Sequence, residues 1–153
     1  MEFLISNLRD RPHFRTEVAD RIWRAWWRDK GTALDHIAGR VEENLRSPGI
    51  PFALVAHRDD EFLGTASVIS DDMEERPQYA PWVAAAWVDA DHRRYGVGSA
   101  LVAAAADAAF ALQFSRIFLC ATPENFSFYE RAGWQRLEED VAGLNVFSMS
   151  REA

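Results

Sequence analysis

The most constraining feature of the sequence is the stretch 98–113, in which alanine dominates and Asp107 is the only charged residue. A helix of this composition has no polar face of ordinary width, so it is expected to be covered on most of its circumference. Its small side chains would let the backbone lie close to a sheet. Apolar runs flank it on both sides, Trp82-Val83-Ala84-Ala85-Ala86-Trp87-Val88 before it and residues 115–122 after it. Both read as buried strands, with Pro81 marking where the first begins. A strand-helix-strand unit of this size is expected to make a right-handed crossover between parallel strands.

Other elements follow from periodicity and punctuation. Residues 3–8 read as a first strand, broken by Arg11-Pro12. A helical pattern then carries Phe14, Val18, Ile22, Trp23 and Trp26, and Gly31 ends it. A second helix carries Leu34, Ile37, Val41 and Leu45, with Thr32 or Asp35 as its expected cap and Ser47-Pro48-Gly49 as its stop. Residues 52–57 and 62–70 form an expected antiparallel hairpin across the polar turn 58–61, and 71–80 reads as a polar loop. After the second buried strand, 124–131 reads as a short helix ended by Gly133. Two terminal strands, 134–137 and 144–149, are joined by a turn over 138–143. The expected fold is a mixed α/β domain spanning 1–153.

Composition excludes several function classes. A net charge of -7 argues against a nucleic-acid binder, which needs a basic surface to neutralise phosphates. No apolar run approaches the ~18 residues of a membrane span, and the N-terminus is too short and acidic for a signal peptide. The single cysteine, Cys120, lies in an apolar run and is expected to pack in the core; with no disulfide possible, a cytoplasmic location is expected. His13, His36, His57 and His92 are dispersed without metal-binding spacing, so no metal is expected.

Chemistry concentrates where the first buried strand enters the alanine-rich helix, through Arg93-Arg94-Tyr95-Gly96-Val97-Gly98-Ser99. First-turn amides of a helix have no internal partners and sit at its positive end, so such a junction stabilises an anion. Gly96 and Gly98 would let the backbone approach phosphate oxygens closely. A dinucleotide fingerprint would need a third small residue where Leu101 stands, and a P-loop would need a terminal Gly-Lys-Ser/Thr; both are missing.

This segment resembles the Gln/Arg-x-x-Gly-x-Gly/Ala motif of the GNAT superfamily of N-acetyltransferases. Residues Asn125-Phe126-Ser127-Phe128-Tyr129-Glu130-Arg131-Ala132-Gly133-Trp134 resemble that family's second landmark, although Asn125 precedes Tyr129 by four residues rather than the usual seven. The resemblance implies a mostly antiparallel sheet with one parallel pair, its fourth and fifth strands, at an acetyl-CoA cleft, flanked by about four helices. It further implies that acetyl-CoA is the acyl donor. Its pyrophosphate would be held by the loop amides, so that Arg93, Arg94, Tyr95, Gly96, Val97, Gly98 and Ser99 are cofactor-binding candidates together with Trp87 and Val88 on the strand beside the pantetheine arm. Tyr129 is then the expected general acid to the departing thiolate.

The acceptor implied is a small-molecule amine, with no nucleic-acid or membrane partner; a homodimer is compatible with the sequence. Asp71, Asp72, Glu74 and Glu75 could line the acceptor cleft or form an exposed acidic loop. Trp23, Trp26 and Trp27 could shape a pocket, although this spacing also serves cores and interfaces. Trp82 and Trp87, five apart, are expected on opposite faces of an ideal strand. Two other readings remain open: a non-catalytic acetyl-CoA-binding module, and an acetyltransferase of a protein N-terminus or lysine.

Overall fold

The structure, a computed structural model, describes residues 2–151. Its strands are β1 (Leu4–Asn7), β2 (Phe52–Arg58), β3 (Glu61–Ile69), β4 (Trp82–Val88), β5 (Arg116–Ala121), β6 (Gln135–Val141) and β7 (Leu144–Ser150). The helices are α1 (Arg15–Ile22), α2 (Leu34–Arg46), α3 (Val97–Ala111) and α4 (Phe126–Arg131). One seven-stranded sheet runs in the order β1-β2-β3-β4-β5-β7-β6. All neighbours are antiparallel except β4 and β5, which are parallel. The mixed α/β fold expected from the sequence is therefore the one observed. Among the described residues, no helix is long and apolar enough to cross a membrane.

Three apolar clusters divide the two faces of the sheet. On one face α3 packs over Leu54, Val68, Val83, Ile117 and Leu119, with Phe126 and Tyr129 of α4 beside them. On the other, α1 and α2 cover β2 and β3 through Phe14, Val18, Val41, Val55 and Phe62. Among the described residues, no helix covers the rest of that second face. There the loop after β3 supplies Met73 and Tyr79 over Trp82, Phe118 and Val146.

Several elements depart from their expected form. Helix α1 stops at Ile22; Trp23–Trp27 form one π-helical turn and Arg28–Lys30 a 3-10 turn, which Gly31 ends at φ +82°. The wider turn accommodates three indoles: Trp23 Nε1 donates to the Thr32 carbonyl (2.7 Å), Trp26 reaches Trp87, and Trp27 lies under the Lys30 ammonium (5.2 Å). Neither Thr32 nor Asp35 caps α2; Ala33 is the N-cap and has no side-chain hydrogen bond to give, while Asp35 sits in the first turn, where a carboxylate suits the helix dipole. The expected turn over 138–143 is also too long. Strand β6 runs on to Val141 through two register irregularities, and only Ala142-Gly143, both with positive φ, makes the reversal.

Coverage of α3 is narrower than its composition suggests. Val97, Leu101, Val102, Ala105, Ala106, Ala109 and Phe110 are buried, but Ser99, Ala103, Asp107 and Ala111 form an exposed stripe four residues apart. Close approach explains the small residues on the sheet side. A Cβ on Gly64 of β3 would stand 2.6 Å from the Trp87 carbonyl oxygen and 3.2 Å from Leu101 Cδ1, so β3, β4 and α3 meet here only because Gly64 has no side chain.

Candidate active site

The sheet opens between β4 and β5. A single residue pair, Trp82 with Phe118, joins them, closed by the Phe118 N–H donating to the Pro81 carbonyl (3.0 Å). Beyond that point the strands part, and the second half of β4 loses the burial expected of a central strand: Ala86 is exposed, and Trp87 and Val88 are half-buried. A bulge adds to the opening. Ala84 pairs with Ser67 and Trp87 with Thr65, so Ala85 and Ala86 together oppose Ala66, with Ala85 at φ +54°. This irregularity also overturns the expected placement of Trp82 and Trp87. Their partners Ile69 and Thr65 share one face of β3, so both indoles lie on the face covered by α1, α2 and the loop.

At the end of β4 the chain turns into α3 through a loop with two left-handed residues, Arg94 (φ +72°) and Gly96 (φ +81°), the latter serving as N-cap. Val97, Gly98 and Ser99 open the helix, and their N–H groups have no carbonyl one turn behind them. Arg94, Tyr95 and Ser99 are exposed, while Val97 is a core residue whose side chain is turned away from solvent. The Arg93 side chain is used locally: Nε donates to the Val88 carbonyl (2.8 Å) and the guanidinium stacks 4.8 Å over the Trp87 ring. A Cβ on Gly98 would make only ordinary contact with Val88 Cγ2, at 3.6 Å.

Tyr129 belongs to the α3 face. It is half-buried, with Phe128 edge-on at 4.9 Å and Phe147 at 5.5 Å, and burial first, then the neighbouring Cys120, pushes its phenol above the ordinary range. It therefore keeps its proton at neutral pH. Asn125 is exposed, and its side-chain amide donates to Thr122 Oγ1 (3.2 Å).

Asp72 belongs to the opposite face. Cys120, expected in the core, is half-buried, and its thiol donates to Asp72 Oδ2 at 3.4 Å. Burial first, then the Asp72 charge, pushes the thiol up to about 12, which keeps it protonated. Desolvation raises the Asp72 carboxyl above its ordinary value, the thiol hydrogen bond opposing. All four acidic residues singled out in this loop are exposed, and Asp72 is the one whose side chain is held at β5, by the Cys120 thiol.

Two anchoring networks gave no sequence signal. Asp89 accepts from Trp87 Nε1 and Arg21 Nε, both at 2.9 Å, and Arg21 also binds Asp20 at 2.6 Å, which ties α1 to the end of β4. On the other side Arg76 binds Glu138 through Nε and a terminal nitrogen (2.9 and 2.6 Å), and the Tyr79 hydroxyl donates to Glu138 Oε2 (2.7 Å). The Tyr79 ring stacks on Phe118 at 4.5 Å, which fastens the loop to β5 and β6. Spacings of 59 to 68 residues leave no local pattern by which either network could be read.

The arrangement offers an anion cradle, a slot through a sheet, a phenol on one face and a carboxylate on the other. Comparison with known proteins agrees. The model of the acetyltransferase (GNAT) family matches residues 15–134. Among solved structures, an aminoglycoside 6'-acetyltransferase type Ii is similar at 20% identity and TM-score 0.71, with 96% of each chain covered. An aminoglycoside 6'-N-acetyltransferase complexed with coenzyme A is similar at 16% identity and TM-score 0.73, again over 96% of each chain. A paia N-acetyltransferase from Thermoplasma acidophilum in complex with coenzyme A is similar at 16% identity and TM-score 0.64, over 99% of this chain and 100% of that one. With most of its length inside the family model and its whole fold shared with such structures, the chain belongs to the GNAT family of acetyltransferases.

Proposed function

We propose that the protein transfers an acetyl group from acetyl-CoA directly to the nitrogen of a small-molecule amine. The observation that carries this reading is the opening between β4 and β5, flanked by Tyr129 on one face of the sheet and Asp72 on the other. Residues of this chain fit the donor: the 93–99 loop presents free first-turn amides for a pyrophosphate, and Gly98 has room beside it. The stretch Ala86 to Val88, unpaired with β5, offers backbone polar groups to an extended pantetheine arm. Acetyl-CoA supplies the activated thioester when bound.

Each of the chain's own groups then has a task. Beyond Trp82 the second half of β4 has no paired residue on β5, so backbone N–H groups on that side can stabilise negative charge on the reacting carbonyl oxygen. Tyr129, protonated at neutral pH, can deliver its proton to the departing sulfur. The Trp26 side of the slot and the pinned loop bound the acceptor's approach, which supports a compact molecule over a peptide segment. The reading is tested by incubating the protein with acetyl-CoA and a panel of amine metabolites and N-terminal peptides while following free thiol. Turnover confined to small amines is expected. Cofactor-induced thermal stabilisation without any turnover would indicate a binding module instead, and turnover confined to peptides a protein acetyltransferase.

A further inference from the structure

Three carboxylates near the slot are already occupied: Asp20 and Asp89 by Arg21, and Glu138 by Arg76. Among the described residues Asp72 forms no ion pair, and its polar partner is the neutral Cys120 thiol. Its negative charge is thus available to a cation. On the same face of the sheet lies an aromatic wall. Trp26 stands edge-on to Trp87 at 81° with 6.4 Å between centroids, and is 40% exposed. The Arg93 guanidinium covers one face of Trp87, so the open indole surface belongs chiefly to Trp26.

Register sets the spacing between these two features. Carrying the Trp82–Phe118 pair two residues onward puts Cys120 level with Ala84. Ala84 and Trp87 oppose Ser67 and Thr65, one same-face step of β3, or about 7 Å. Because β4 and β5 part beyond the Trp82–Phe118 pair, the Asp72 anchor on the β5 side and the indole wall on the β4 side face each other across the slot.

We propose that the acceptor is a primary ammonium compound bearing a flat apolar group, with Asp72 receiving the nitrogen and the Trp26–Trp87 wall the apolar group. This rests on the acyltransferase reading above. Asp72 takes one proton from the ammonium and passes it to water; the nitrogen then forms the C–N bond as the C–S bond breaks. The second proton lost by nitrogen leaves through water, and Tyr129 protonates the sulfur and recovers its proton from solvent. Products are the N-acetyl amine, free coenzyme A thiol and one net proton.

Phenethylamine and ethylamine are suitable probes, compared by thiol release with acetyl-CoA and by calorimetric binding to protein saturated with coenzyme A. Phenethylamine should exceed ethylamine at least tenfold in kcat/KM. Trp26→Ala should lower that ratio about fivefold to tenfold, and Trp26→Phe should retain most of it. Asp72→Asn should weaken phenethylamine binding in calorimetry and lower kcat about a hundredfold or more for both amines. Melting temperatures identify any variant that fails to fold, and Asp72→Ser removes the same charge should Asp72→Asn be one. Equal kcat/KM for the two amines, a Trp26→Ala ratio equal to wild type, or a folded Asp72 variant with wild-type kcat and binding would overturn the proposal while leaving the transferase reading intact. Bound coenzyme A without thiol release for any amine or peptide would overturn both.

Discussion

The hydroxyl of Tyr129 and the missing side chain of Gly64 make opposite kinds of contribution, one chemical and one geometric. Tyr129 packs its ring against Phe128 and Phe147, so Tyr129→Phe keeps the packing and removes only the proton donor. If protonation of the sulfur limits turnover, kcat should fall about 10²–10⁴-fold with the KM for acetyl-CoA changed far less. A folded variant with wild-type kcat under single-turnover conditions would take Tyr129 out of the chemistry. Gly64 is buried in β3 and carries no chemical group. Adding a methyl group there places carbon 2.6 Å from the Trp87 carbonyl, which is backbone and cannot swing aside. Gly64→Ala should therefore destabilise the fold by about 1–3 kcal/mol, measured by denaturant unfolding, and should also disturb the bulge and lower activity. Unchanged stability would mean that β4 yields more easily than its packing between β3 and α3 suggests.

Among the elements, the loop between β3 and β4 takes over the role of a missing helix. It covers the second face of the sheet at Trp82 and Phe118, and Glu138 of β6 holds it through Arg76 and Tyr79. The Arg76 guanidinium, then the Tyr79 hydroxyl, hold the Glu138 carboxyl down to about 2, against 4.5 for the free group. A depressed carboxylate pKa adds stability that is present above the unfolded value and disappears as pH falls through the folded one. Glu138→Gln should therefore melt below wild type at neutral pH, and the difference should close as pH drops from 4.5 towards 2. A difference that persisted undiminished at the acid end would assign it to packing rather than charge. Because the same loop carries Asp72, the variant should also lose turnover at neutral pH by letting the loop drift.

For the molecule as a whole, a donor that binds only the folded state stabilises it by mass action, about 2.7 kcal/mol at a hundredfold excess over Kd. Gly98→Val tests whether the 93–99 loop carries that linkage. The new Cβ meets only Val88 Cγ2 at 3.6 Å, so the variant should fold and melt near wild type without ligand, while the thermal shift with acetyl-CoA disappears. A folded variant with an undiminished shift would remove the loop from donor binding. The order of elements, the parallel strand pair around α3 and the loop at its N-terminus could all be read from sequence, because each is a local pattern: period, punctuation and composition within some thirty residues. The path of β4 could not. A period-two reading sends Trp82 and Trp87 to opposite faces, and only the pairing with β3, which sets Ala85 and Ala86 against one residue, puts both indoles on the same side. Choosing Asp72 from among four acidic residues likewise required β5 to bring Cys120 beside it, 48 positions away. The sequence by itself determined that this chain builds an acetyltransferase sheet with a glycine-containing loop at the entry to its long helix. Tertiary structure alone decided which carboxylate lies beside β5 and which indoles share a face of the sheet, since bulges and distant contacts arise from how strands pair in space and leave no periodic trace along the chain.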